Sequence, residues 1–161
     1  MLNKKVKDLM TNPAITCSYD QTIKEAINIM KENDIGFLPI TKNNIIVGVV
    51  TDRDILIRAI GIHKINTKIN KVMTNGEIHF VSPETNLTDA AKIMSKSKVR
   101  RLVVLNNGEV TGVLTSKSFI NEPQLIPYII DTYKKNDTIG YYEIYNNSNP
   151  HDSIKTDDFP L

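Results

Sequence analysis

Residues 48–54 read Gly-Val-Val-Thr-Asp-Arg-Asp, and residues 112–118, 64 positions further on, read Gly-Val-Leu-Thr-Ser-Lys-Ser. The likeness extends backwards from both. Met10-Thr11-Asn12 recurs as Met73-Thr74-Asn75 at an offset of 63, whereas Ala26, Met30, Gly48 and Thr51 recur as Ala90, Met94, Gly112 and Thr115 at 64, so one residue has been inserted between the groups. Self-similarity at a fixed period governs architecture before any local assignment is made. The chain therefore holds two copies of one unit.

Within each copy the local signals run in the same order. A short strand (14–18; 77–81) precedes a helix start at which Thr22 with Glu25, and Asn86 with Asp89, have the spacing of a cap and its third residue. Ile23, Ala26, Ile27 and Met30 then recur at helical spacing, as do Leu87, Ala90, Ala91 and Met94, each set forming one apolar stripe. Two apolar runs follow in each copy, 37–40 with 45–50 and 102–105 with 110–114. Polar turns separate them, Thr41-Lys42-Asn43-Asn44 and Asn106-Asn107-Gly108, which predicts hairpins. Second helices are expected over 52–60 and from Ser116. A unit of about 50 residues buries too little surface to stand alone, so the apolar strand faces of the two copies are expected to pack together. The expected fold class is α/β (α+β): strand-helix-strand-strand-helix repeats at 1–62 and 63–120 form a pseudo-twofold module, and a C-terminal helix with a polar acidic tail occupies 121–161.

Met10-Thr11, Thr22-x-x-Glu25-Ala26, Phe37-Leu38-Pro39-Ile40 and, above all, Gly48 to Asp54 resemble the CBS domain, the cystathionine β-synthase domain, and the second copy resembles its partner. The resemblance covers about residues 4 to 120. It implies a stand-alone tandem pair that dimerises and takes an adenosine-containing ligand such as AMP, ADP or ATP in a cleft between the copies. Most such pairs act as sensors or regulatory modules rather than catalysts, so the resemblance implies no enzyme activity and no cofactor beyond the regulatory ligand.

In the first copy, a glycine permits close backbone approach, Thr51 offers a hydroxyl at a helix start, and Asp54 in the first helical turn can accept both hydroxyls of a ribose. The alternative is that Asp52 and Asp54 cap the helix while Arg53 is solvated. The second copy places Ser118 where the first has Asp54, and Val103 where it has Pro39. A serine cannot hold a ribose diol by charge-assisted bonds. The resemblance further implies that Arg100, Arg101 and Lys117 reach phosphates in the cleft whose aspartate belongs to the first copy. It also implies that Ile15, Thr16, Cys17, Phe37, Leu38 and Pro39 line the base. For the arginines, a solvated strand edge blunted by charge is the alternative. Core packing is the alternative for Cys17 and Leu38.

The 161 residues carry 20 Lys plus Arg against 18 Asp plus Glu, a formal charge of +2, which gives no strong pull toward nucleic acid or anionic lipid. The charge is uneven, with 17 basic and 11 acidic residues up to position 120 and 3 and 7 beyond it. Five of the six tyrosines (Tyr128, Tyr133, Tyr141, Tyr142, Tyr145) also lie in the C-terminal part. The apolar residues Leu125, Ile126, Ile129, Ile130 and Tyr133 fit a helix starting near Pro123, whose stripe is expected to pack within the chain.

One cysteine, Cys17, permits neither an intrachain disulfide nor a multi-thiolate metal site, and fits a reducing, cytoplasmic setting. The three histidines are dispersed, and neither G-x-x-x-x-G-K-[ST] nor G-x-G-x-x-G occurs. No apolar run approaches the roughly 18 residues of a membrane helix. Two alternatives to a ligand sensor remain: a protein-protein adaptor acting through the tyrosine-rich tail, and nucleic-acid binding through the basic body. The regulated partner is not legible.

Overall fold

A computed structural model describes residues 4–134. In chain order it contains β1 (Cys17–Ser18), α1 (Ile23–Glu32), β2 (Phe37–Lys42), β3 (Ile45–Thr51) and α2 (Asp52–Arg58), then β4 (Phe80–Val81), α3 (Leu87–Ser97), β5 (Arg101–Asn106), β6 (Glu109–Thr115) and α4 (Ile126–Asp131). Single 3-10 turns lie at Val6–Asp8, Ile69–Lys71, Ser116–Phe119 and Pro123–Leu125.

Two three-stranded sheets result, ordered β1-β2-β3 and β4-β5-β6, the first pair in each parallel and the second antiparallel. They match in detail: Leu38 faces Val50 as Leu102 faces Leu114, and the ladder slips between Ile40 and Thr41 as it does between Val104 and Leu105. Each hairpin turns through two residues, Asn43-Asn44 and Asn107-Gly108, all at positive φ. Mirror-image turns of this kind match the strand twist, and Asn and Gly tolerate the left-handed region they need. Thr41, Lys42 and Asn106 consequently belong to strands rather than to the longer turns expected.

The strands β3 and β6 come into contact across the copies, while the larger buried strand residues pack within their own copy. Leu38, Ile40 and Val50 join Ile23, Ala26 and Met30 of α1 in one core, and Leu102, Val104 and Leu114 join Leu87, Ala90, Ala91 and Met94 of α3 in another. What crosses between copies is the segment leading into each. Val6, Leu9 and Met10 pack in the second core, and Ile69, Val72 and Met73 in the first.

Backbone bonds hold these exchanged segments. The Leu87 N–H donates to the Lys4 carbonyl (3.1 Å) and the Ile23 N–H to the Thr67 carbonyl (2.9 Å), so each long helix has an otherwise orphaned first-turn donor satisfied by the other copy's lead-in. Thr74 exchanges two bonds with Val49 (both 2.8 Å), and Thr11 exchanges two with Val113 (2.9 and 3.2 Å), covering the free edges of β3 and β6. The repeated glycines explain themselves here. A Cβ on Gly48 would lie 2.6 Å from Met73 Sδ and 2.9 Å from the Thr74 carbonyl oxygen, and one on Gly112 would lie 2.8 Å from both Met10 Sδ and the Thr11 carbonyl oxygen.

The copies diverge in their second helices. Asp54 completes a capping box with Thr51 and α2 forms, whereas Thr115 and Ser118 share only a hydroxyl contact at 3.3 Å and the expected helix from Ser116 is a single 3-10 turn. Pro123 ends any continuation, because it lacks an N–H and steers its predecessor out of helical geometry. Pro127 falls in the first turn of α4. Leu125 and Ile129 of the C-terminal stripe enter the second core, while Ile130 and Tyr133 stay half exposed. Tyr141, Tyr142, Tyr145 and the polar end lie outside the described residues. Among the described residues no helix is long and apolar enough to cross a membrane.

Candidate functional site

A cleft of about 390 Å³ opens at the seam between the copies. Its first wall comes from the turn after α1 and from the lead-in to β1. The chain leaves α1 through Asp34 at φ 51°, with the Ile35 N–H bonded to the Met30 carbonyl (3.0 Å), and Ile35, Gly36 and Phe37 follow into β2 beside Ala14 and Ile15. The second wall is the start of β5 and the end of β6, presenting Arg100, Arg101, Thr115, Ser116 and Lys117. Thr11, Val113 and Tyr133 complete the lining.

The cations are set against rings. The Arg101 guanidinium stands 5.5 Å from the centre of the Phe37 ring across the seam, and that of Arg100 stands 5.4 Å from the Tyr133 ring. A planar guanidinium suits such stacking and still leaves donors for a carboxylate or phosphate. Burial, then the like charge of Arg100, lowers the Arg101 pKa, while Asp52 and Tyr133 act in the opposite sense. Arg101 starts far above neutrality and remains a cation. One side of the cleft is thus cationic, and the other is aromatic and aliphatic with Asp34 at its rim.

The CBS domain family model matches residues 6–61 and 69–124, the two copies, with the described sheets and helices inside those spans. The chain belongs to the CBS-domain family. The CBS domain-containing protein YhcV of Bacillus subtilis is 33% identical over 110 residues, covering 68% of this chain and 78% of that protein. The CBS domain pair of protein MJ0100, solved in complex with 5′-methylthioadenosine and S-adenosyl-L-methionine, is 28% identical with a TM-score of 0.64, covering 72% of this chain and 96% of that one. The CBS domain protein PAE2072 from Pyrobaculum aerophilum, solved in complex with AMP, shares the fold at a TM-score of 0.68 and 23% identity, covering 79% and 98%. CBS-domain pairs are generally regulatory, non-catalytic modules.

Of the residues singled out from sequence, this CBS pair brings Ile15, Phe37, Arg100, Arg101 and Lys117 to the cleft. Thr51, Asp52, Arg53 and Asp54 do not line it. Asp54 Oδ2 accepts from the Thr51 N–H (2.9 Å) and hydroxyl (2.8 Å), and its Oδ1 pairs with Arg58 (3.2 Å), so the carboxylate is engaged in holding α2. Asp52 accepts from the Arg53 N–H (2.8 Å) and covers Gly36, where a Cβ would lie 2.5 Å from its carboxylate. It lines an adjoining, more open recess of about 400 Å³ with Ile27, Met30 and Ile55, which shares Asp34, Ile35 and Gly36 with the cleft.

Cys17 and Leu38 are fully buried in the first core, and Pro39 is buried and Thr16 half-buried away from the cleft. Burial pushes the Cys17 thiol up to about 11. Sequence reasoning missed Asp34, Ser116 and Tyr133 as lining residues. Ser116 could have been inferred from its place in the repeated turn beside Lys117, whereas nothing local marks Tyr133. Among the described residues no cluster of His, Cys, Asp or Glu could hold a metal ion.

Proposed function

We propose that this CBS pair is a non-catalytic sensor that binds an adenosine-containing ligand in the seam cleft. The phosphate or other anionic group sits at Arg100, Arg101 and Lys117, and the base lies against Ile15 and Phe37. The observation that carries this reading is the placement of cations from one copy opposite apolar and aromatic side chains from the other, around a space of about 390 Å³. That volume lies within the range of small-molecule sites, which are mostly apolar with a few fixed polar groups. The AMP complex of the Pyrobaculum protein and the adenosyl complexes of MJ0100 support the ligand class. In this reading Thr51 and Asp54 hold α2 rather than the ligand. Sensing requires different affinities for two conformations, and a ligand shared between copies favours the arrangement in which both walls are in reach.

Calorimetry with AMP, ADP, ATP, S-adenosylmethionine and 5′-methylthioadenosine tests it. Loss of one hydrogen-bonded charge predicts about tenfold or greater weakening of AMP binding in Arg101→Ala, with 5′-methylthioadenosine less affected because it lacks the phosphate. AMP binding that withstands Arg101→Ala and Lys117→Ala together would refute the assignment. A comparable loss in Asp54→Ala would move the ribose to the start of α2.

The same reading includes a homodimer in a reducing cytoplasm. Leu56, Ile57, Ile60 and Ile62, all more than half exposed, form an apolar patch on α2 and the turn after it. Light scattering should show dimer in the wild type and monomer in Ile60→Asp.

A further inference from the structure

Helix α4 lies beyond both CBS spans, and the turn that follows it reaches the cleft through Tyr133. Leu125 and Ile129 anchor it in the second core, and an ionic contact fixes its end: Asp131 accepts from Lys98 Nζ and from the Ser95 hydroxyl, both at 2.6 Å. Lys98 Nζ also donates to the Asp131 carbonyl oxygen at 3.0 Å. Lys98 occupies the left-handed position that ends α3, so this anchor joins the C-terminal ends of the two helices. Two residues after it comes Tyr133, whose ring lies over Arg100 and whose hydroxyl is 2.9 Å from Ser116 Oγ.

Tyr133 is half exposed and belongs to neither core, so apolar burial does not explain its placement. The two groups it engages are a guanidinium and a hydroxyl, both of which an anionic ligand in this cleft would use. We propose that Tyr133 is a gating residue: its ring and hydroxyl occupy the part of the cleft beside Arg100 and Ser116, and they withdraw when an anionic group takes that place. The inference rests on the sensor reading above and specifies its regulation. Ligand occupancy and seating of the turn after α4 oppose one another, and by linkage each weakens the other to the same degree. The ligand thus acts on a segment that neither repeat contains.

The test is AMP calorimetry on the full chain, comparing wild type with Tyr133→Ala and Tyr133→Phe, with thermal melts to confirm folding. Removing a cation–ring contact and a hydroxyl bond predicts AMP binding about threefold to thirtyfold tighter in Tyr133→Ala. Tyr133→Phe keeps the ring and should fall between. 5′-Methylthioadenosine, with no phosphate to claim Arg100, should bind both variants as it binds wild type. AMP should also speed tryptic cleavage at Lys134-Lys135 in the wild type. AMP binding that is weaker in Tyr133→Ala makes the tyrosine a ligand contact and overturns the gate. Equal affinity overturns the gate and leaves the sensor reading standing. If no adenosine compound binds either the wild type or Tyr133→Ala, both fall.

Discussion

Asp54 shows how one carboxylate can be committed to local structure. Its two oxygens take the Thr51 N–H, the Thr51 hydroxyl and the Arg58 guanidinium, leaving the side chain only 16% exposed. Asp54→Ala should therefore lower stability by about 1 kcal/mol, the usual cost of losing a helix cap, measured by urea titration. Cys17 makes a second case. The thiol is inaccessible and its pKa is raised to about 11 by burial and then by the Glu25 charge. Labelling by a thiol reagent at pH 8 should be slow in the native chain and immediate after denaturation. Fast native labelling would contradict the buried placement. Both residues carried a capping or core alternative in the sequence. Choosing between those roles required knowing which partners lay within hydrogen-bond reach.

Elements show the same local encoding, with exceptions that have identifiable causes. α1, both hairpins and the apolar stripes were legible because their signals lie within one or two turns of chain. The second helix of copy two was not, because its loss depends jointly on Ser118 and on Pro123. Gly48 was read as giving close backbone approach, but what approaches it, and Gly112 likewise, is the methionine-threonine pair of the opposite copy. Gly48→Ala and Gly112→Ala should each cost about 1–3 kcal/mol by overpacking, visible as a lower urea midpoint.

The end of α4 has a pH signature. The hydrogen bond from Lys98, then that from Ser95, holds the Asp131 carboxyl below the usual carboxylate range. A depressed carboxyl contributes fully above its unfolded pKa and loses that contribution as pH falls through the lower folded value. Seating of α4 should therefore be flat from pH 8 to 5 and weaken only below about pH 4. Tryptophan introduced at Tyr128, followed by fluorescence, would report it.

At the level of the whole molecule the copies are interlocked. Ile69 belongs by sequence to the second copy but is fully buried in the first core. Ile69→Ala should cost about 2–5 kcal/mol, and hydrogen exchange should show protection lost first in α1 and β2 rather than in α3. Residues 1–62 expressed alone would lack Ile69, Val72 and Met73, and circular dichroism should find them unfolded.

The duplicated unit, the order of its elements and its family could be read from residue order alone, because periodicity and turn chemistry act over short separations. Which lead-in fills which core, why Gly48 and Gly112 must be small, and how Tyr133 comes to rest on Arg100 depended on folding in three dimensions. Those contacts join residues remote along the chain, and no short-range pattern specifies which distant surface a segment will meet.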